Sequence, residues 1–193
     1  YGGNLTDAPY NFYTIVNMSI QSSSILHMMT STSNVSTPTA AASRRGTYWR
    51  TTTAGNTWER IWSYANPSVS DRLDRIARTA DNATFIYDRV ANTFWRSTDD
   101  GASFPRKITG PVAAGIAAVS AVDANTLWVA YSGTPAQLWY TTNLGLPWTQ
   151  MDDDRVLTGA LGPGIGRTGT YMMLNSGARA FFSKDSGKTF KIL

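Results

Sequence analysis

Four copies of one short pattern constrain this chain more than any other feature. They read Thr51-Thr-Thr-Ala-Gly55-Asn-Thr-Trp58, Ser97-Thr-Asp-Asp-Gly101-Ala-Ser-Phe104, Thr141-Thr-Asn-Leu-Gly145-Leu-Pro-Trp148 and Ser183-Lys-Asp-Ser-Gly187-Lys-Thr-Phe190. Their glycines are spaced by 46, 44 and 42 residues. An aromatic-rich run stands before each copy: Tyr48-Trp49, Phe94-Trp95, Trp139-Tyr140 and Phe181-Phe182. A glycine adopts positive φ without steric cost and so permits a tight hairpin turn, while Ser, Thr, Asp and Asn side chains bond the amides of such a turn. The closing aromatic has a large apolar area to bury against a neighbour. A repeat in the forties built from short strands predicts propeller blades.

The pattern S-x-D-x-G-x-x-W/F resembles the Asp-box, or bacterial neuraminidase repeat, family of β-propellers, which includes sialidases, other glycosidases, sortilin-like receptors and photosystem assembly factors. Only Asp99 and Asp185 keep the acid; Asn143 is a conservative replacement and Thr53 a departure. The resemblance implies that the box residues Thr51, Gly55, Trp58, Ser97, Asp99, Gly101, Phe104, Thr141, Asn143, Gly145, Trp148, Ser183, Asp185, Gly187 and Phe190 are structural. It also implies that they lie on the face away from any ligand.

Alternation and turn residues divide the chain into an N-terminal extension, 1–10, and four blades of four antiparallel strands, 11–62, 63–108, 109–151 and 152–193. The clearest phasing is in the third unit, with strands at 115–122, 126–131, 137–141 and 147–151 separated by turn residues such as Asp123-Ala-Asn125. The Ser/Thr/Ala-rich stretch 31–46 reads as a mobile surface loop within the first blade. Family propellers usually have six or more blades, so four imply a part of a larger ring, or one completed by another polypeptide or a second copy; a self-closed four-bladed ring is the alternative. The blades at the two ends would otherwise present apolar faces.

Composition narrows the function classes. The chain of 193 residues has no cysteine, so disulfides and thiolate metal sites are excluded. Net charge is +4, but the basic residues are scattered, and nothing resembles a nucleic-acid footprint. No apolar stretch approaches the roughly 20 residues of a membrane-spanning helix. Only 16% of residues are charged, which suits an extracellular, cell-surface or virion setting.

Ligand sites of propellers form from the loops opposite the box turns. Here these loops carry Tyr64, Asp71, Arg72, Asp88, Arg89, Asp152, Asp154, Arg155 and Arg179. Arginine, carboxylate and aromatic together suit a glycan or an acidic ligand, and they equally suit a solvated rim. The sialidase members of the resembled family use a Tyr–Glu pair, three arginines and an aspartic acid/base. The single glutamate, Glu59, directly follows a box aromatic, on an outer strand far from an axial site. A glycosidase built on two aspartates would draw on Asp152–Asp154 with Asp71 or Asp88 as partner. His27, the only histidine, alternates with apolar neighbours and has no evident partner for metal or triad chemistry. The glycine-rich run 162–169 lacks the Gly-Lys-Ser/Thr end of a phosphate loop and reads as a flexible crossing beside an inner strand. No cofactor or metal is expected. The chain therefore reads as a non-catalytic propeller that scaffolds or binds through protein or glycan contacts. The alternatives are a sialidase-like glycoside hydrolase fragment and a structural component of a virion or extracellular filament.

Overall fold

The computed structural model describes residues 10–34, 44–65, 73–79, 81–88, 91–112, 116–131, 137–151, 161–168, 171–176, 179–185 and 189–193. Sixteen strands form four four-stranded antiparallel sheets, and there is no helix among the described residues. The first sheet is β1 (Tyr10–Ile20), β2 (Leu26–Asn34), β3 (Arg44–Thr51) and β4 (Glu59–Ala65). The second is β5 (Leu73–Arg78), β6 (Thr84–Asp88), β7 (Thr93–Ser97) and β8 (Arg106–Thr109). The third is β9 (Ile116–Ala121), β10 (Leu127–Tyr131), β11 (Gln137–Thr141) and β12 (Thr149–Met151). The fourth is β13 (Leu161–Thr168), β14 (Tyr171–Ser176), β15 (Arg179–Ser183) and β16 (Lys191–Ile192). In every sheet the strands are hydrogen-bonded in chain order.

Burial explains why these segments are strands. The second strands β6 and β10, Thr-Phe-Ile-Tyr-Asp and Leu-Trp-Val-Ala-Tyr, are buried at every residue, as strands covered on both faces are. The outer strands β8 and β12 alternate or are largely exposed.

Two compact units emerge: Tyr1–Arg78 with Asn82–Lys107, and Thr79–Asp81 with Ile108–Leu193. In the first, Met29, Tyr48, Ile76 and Ile86 form a buried cluster capped by Ile61, Trp62 and Phe104. In the second, Ala118, Trp128, Ala130, Leu138, Phe181 and Phe190 do the same. Three of the box aromatics thus pack against a neighbouring sheet. Phe104 meets Tyr48 edge-on at 5.1 Å, Phe190 joins residues of the third sheet, and Trp148 Nε1 donates to the Thr109 carbonyl at 2.8 Å.

The box turns follow one hydrogen-bond plan. The buried hydroxyl of Thr51, Ser97 or Thr141 accepts from the amide two residues on and from the glycine amide four residues on, at 2.9–3.3 Å. Ser183 accepts from the Asp185 amide at 3.3 Å, and Gly187 lies outside the described residues. The turn carbonyls of Thr53, Asp99 and Asn143 accept from the amides of Asn56, Ala102 and Leu146 at 3.1 Å. Both central residues have positive φ: Ala54 and Gly55, Asp100 and Gly101, Leu144 and Gly145. Positive φ at both positions makes these type I′ turns, whose twist matches a hairpin.

Where the acid is present it organises the turn. Asp99 accepts from the Ser97 and Ser103 hydroxyls and the Ser103 amide at 2.5–2.9 Å. Asp185 does so from Ser183 and Thr189 at 2.6–2.9 Å. Thr53 substitutes for the acid: its hydroxyl accepts the Thr57 amide at 2.9 Å and lies 2.8 Å from the Thr57 hydroxyl. In the third box the residue four positions after Asn143 is Pro147, which has neither amide hydrogen nor hydroxyl to offer a carboxylate.

Two expectations are corrected. The stretch 31–46 is not all loop, because β2 continues to Asn34 and β3 begins at Arg44, with Ser31 opposite Gly46 and Ser33 opposite Arg44. Antiparallel pairing with Gly46 and its neighbours satisfies this polar backbone in a ladder. The glycine-rich run is not a crossing beside an inner strand; it lies largely within β13, the inner strand itself, paired to β14 with one irregularity between Leu161 and Ile165.

Candidate functional site

Of the rim residues read from the sequence, Asp71, Arg72, Arg89, Asp152, Asp154 and Arg155 lie outside the described residues. Tyr64 falls on β4 and Arg179 opens β15. Asp88 ends β6, buried, with its Oδ1 accepting the Ala91 amide at 3.0 Å in the turn to β7. Glu59 opens the outer strand β4, exposed, and pairs with Arg50 at 3.1 Å.

The described functional-type side chains instead gather between the first two sheets, inside the first unit. His27 is fully buried. Arg78 Nη1 donates to its Nε2 at 2.6 Å, which assigns the ring proton to Nδ1, 2.5 Å from Tyr48 Oη. Gln21 Oε1 lies 2.9 Å from the same Nε2, while the Gln21 amide donates to Asp100 at 2.8 Å and to Asn82 at 3.1 Å. Burial, with the cations of Arg78 and Arg50, lowers the His27 pKa to about 4, so the imidazole is neutral at neutral pH. Burial likewise pushes the Tyr48 phenol well above its ordinary range. His27 thus has two hydrogen-bond partners, Arg78 at Nε2 and Tyr48 at Nδ1, and both its ring and that of Tyr48 are fully buried. The network ties the sheets together. No group of His, Asp or Glu among the described residues is arranged to hold a metal ion.

Beside this network the outer strands leave a cavity of about 260 Å³, lined by Ile61, Trp62, Trp95, Ala102, Ser103 and Phe104. Trp62 meets Trp95 edge-on at 5.2 Å and stacks on Phe104 at 5.8 Å. Lys107 Nζ lies 5.7 Å from the Trp95 ring centre. The Trp95 indole nitrogen is buried and has no hydrogen-bond partner among the described residues. Sequence reasoning assigned Phe104 to the box and Trp95 to the run before it; nothing in the linear pattern places Trp62 between them.

A third feature is the outward face of β1. Register places Ile15, Met18 and Ile20 opposite Thr30, Met28 and Leu26. The alternate residues of β2, His27 and Met29, meet the second sheet. A register shift between Ile15 and Asn17 keeps Ile15 on the outward face. Ile15, Met18 and Ile20 are 56%, 47% and 72% exposed, whereas Met28 and Trp49 on that face are buried. The apolar strip is therefore confined to the inner strand. In the second unit, Ile192 and Leu193 are 54% and 72% exposed.

No protein-family model matches the sequence, and no curated protein does either. Solved structures do. YCF48 bound to D1 peptide is similar at 15% identity and TM-score 0.58, with 98% of this chain covering 59% of that one. An ancestral GH74 enzyme is similar at 14% identity and TM-score 0.58, over 96% of this chain and 24% of that one. Virginiamycin B lyase from Staphylococcus aureus is similar at 16% identity and TM-score 0.56, over 93% and 69%. With the four sheets, these likenesses show a β-propeller fold with four blades of four antiparallel strands. The chain spans somewhat more than half the length of the YCF48 chains it matches.

Proposed function

We propose that this chain is a non-catalytic propeller module of the Asp-box type that binds or scaffolds another polypeptide, and that this polypeptide or a second copy covers the apolar strip of β1 and completes the ring of blades. The observation that carries this reading is the outward strip Ile15, Met18 and Ile20 on the inner strand of the first blade. Three large apolar side chains aligned on one strand face favour burial against a partner, at about 25 cal/mol for each Å² removed from water. The hydrogen-bond plan of the 97–103 and 183–189 turns supports the Asp-box assignment. The solved YCF48 complex with a peptide is consistent with a protein ligand for a propeller of this architecture. The low charged fraction, 16%, favours a place at a cell surface or on a particle.

Hydrogen–deuterium exchange at rising protein concentration tests this reading. Amides of β1 gaining protection with concentration, and losing that gain in the Ile15→Thr/Met18→Thr/Ile20→Thr variant, are the expected result. Exchange of β1 independent of concentration and of these substitutions refutes it.

A further inference from the structure

His27 Nε2 faces a donor and an acceptor at once. Arg78 Nη1 donates to it at 2.6 Å, while Gln21 Oε1 stands 2.9 Å away. The Gln21 amide cannot turn over, because its nitrogen already donates to Asp100 Oδ1 at 2.8 Å and to Asn82 Oδ1 at 3.1 Å. A neutral ring with its proton on Nδ1 uses the donor and has no use for Gln21 Oε1. A ring protonated at Nε2 is itself a donor and can use only the acceptor. Arg78 holds a matching reserve. Its Nη1 also donates to Thr84 at 3.0 Å, but its Nη2 is buried without a hydrogen-bond partner among the described residues and lies 3.8 Å from Asp100 Oδ1. Buried donors are seldom left in that state.

Each contact has a definite place in the fold. Gln21 follows β1 and His27 lies on β2, both in the first sheet; Arg78 ends β5 and Asp100 sits in the turn after β7, both in the second. The Arg78–His27 bond therefore joins the two sheets, whereas a His27–Gln21 or an Arg78–Asp100 bond stays within one. Arg78 moving onto Asp100 Oδ1 also competes with Gln21 for the atom that carries a second link between the sheets. The charged and titratable groups around the ring are Tyr48 and Arg50 from β3, Arg78 from β5 and Asp100 from the box turn. Asp99, next to Asp100, is bound to Ser97 and Ser103, and Glu59 pairs with Arg50 on its exposed side. Burial and the two guanidinium cations, only partly offset by Asp100, keep the ring neutral until the pH approaches about 4.

We propose that His27, Arg78, Gln21 and Asp100 form an acid-operated latch between the first and second blades. A proton arriving at Nε2 replaces one hydrogen bond that crosses the blades by two contacts that do not. The Nε2–H donates to Gln21 Oε1, and the displaced guanidinium closes on Asp100. The proton comes from solvent and returns to it on neutralisation, so the latch is reversible. The inference uses no residue of the β1 strip and is judged independently of the partner-binding reading.

The test is an acid titration of the full 193-residue chain from neutral pH to about 2.5. It is followed by ¹H–¹⁵N spectra of the imidazole and guanidinium groups and by near-UV circular dichroism. Trp62 of the first sheet and Trp95 of the second meet edge-on at 5.2 Å, so their coupled near-UV signal reports the contact between the blades. At neutral pH the single ring proton should lie on Nδ1. As the ring gains its second proton, the Arg78 guanidinium signals should move and the near-UV signal weaken with the same midpoint, while the far-UV spectrum holds. His27→Gln should abolish the near-UV step. Gln21→Leu, at a half-buried position, should lower the His27 midpoint by about one unit, a tenfold loss of proton affinity for one hydrogen bond to a charged group. A near-UV signal unchanged through the His27 midpoint, a step that persists in His27→Gln, or a midpoint indifferent to Gln21→Leu would each overturn the proposal.

Discussion

Substituting Gly101 by alanine isolates how one blade locks onto the next. Gly101 has φ +76°, and an added Cβ there would overlap Tyr48 Oη. Tyr48 cannot swing away, because it is fully buried, lies 2.5 Å from His27 Nδ1 and packs against the edge of Phe104. Gly55 is the control: it has φ +88° in an equivalent turn, but its Cβ would come no nearer than 4.0 Å to any neighbour. Left-handed backbone costs a non-glycine residue about 1–2 kcal/mol, and overpacking a rigid site costs a further 1–3 kcal/mol or so. Gly55→Ala should therefore lose about 1–2 kcal/mol and Gly101→Ala about 2–5 kcal/mol. The measurement is urea unfolding followed by tryptophan fluorescence, with the denaturant dependence checked for a common slope. Tyr48→Phe removes the atom that clashes, so in the double variant the two losses should sum to less than their separate values. Equal losses for the two glycines, or full additivity with Tyr48→Phe, would refute the argument that the Tyr48 contact, beyond the turn itself, requires glycine at 101.

Three further outcomes follow from the same contacts. His27 is held near pKa 4 when folded, against 6.5 for the free side chain, so the unfolded chain binds the extra proton between these values. Stability should fall as pH drops from 6.5 towards 4, by up to about 3 kcal/mol. The lone histidine gives one Cε1–H signal whose titration reads this directly, and a His27 midpoint near 6.5 would contradict it. Asp99 and Asp185 are held at about 2. At Asp99, burial pushing upward is outweighed by the Ser103 and Ser97 hydrogen bonds, and at Asp185 the Thr189 and Ser183 hydroxyls dominate. Their contribution to stability is present above pH 4 and disappears as pH falls through 2. Asp99→Ala, which removes an acceptor of three hydrogen bonds, should cost about 1–2 kcal/mol, and Asn143→Ala less than about 0.5 kcal/mol, by thermal unfolding. Comparable losses at the two positions would undo the account of why the acid persists in only some boxes.

Much of the architecture is legible in the sequence because the repeat is local. A hydroxyl, a glycine and an aromatic within eight residues carry the turn, and period-two alternation carries the strands, so β11 falls at Gln137–Thr141 as the phasing expects. Contacts between residues of different blades are not legible that way. His27 and Arg78 are 51 positions apart, and no periodicity says which buried polar groups of two sheets will meet. The cavity likewise combines Trp62 with Trp95 and Phe104, each of which alone reads as ordinary core. Thr53 looks like a lost acid in the sequence, yet its hydroxyl reaches the same Thr57 amide and hydroxyl that a carboxylate would. The rim residues chosen from connecting loops fall mostly outside the described residues; Asp88, on a strand end, sits in a turn.

The most direct test of the central claim, that the exposed apolar strip Ile15, Met18 and Ile20 is a contact surface, is the native mass of the purified 193-residue chain. Light scattering over a range of concentrations should show a defined multimer, or association that grows with concentration and is suppressed by Ile15→Thr/Met18→Thr/Ile20→Thr. A well-folded monomer at every concentration, unaltered by those substitutions, would contradict it.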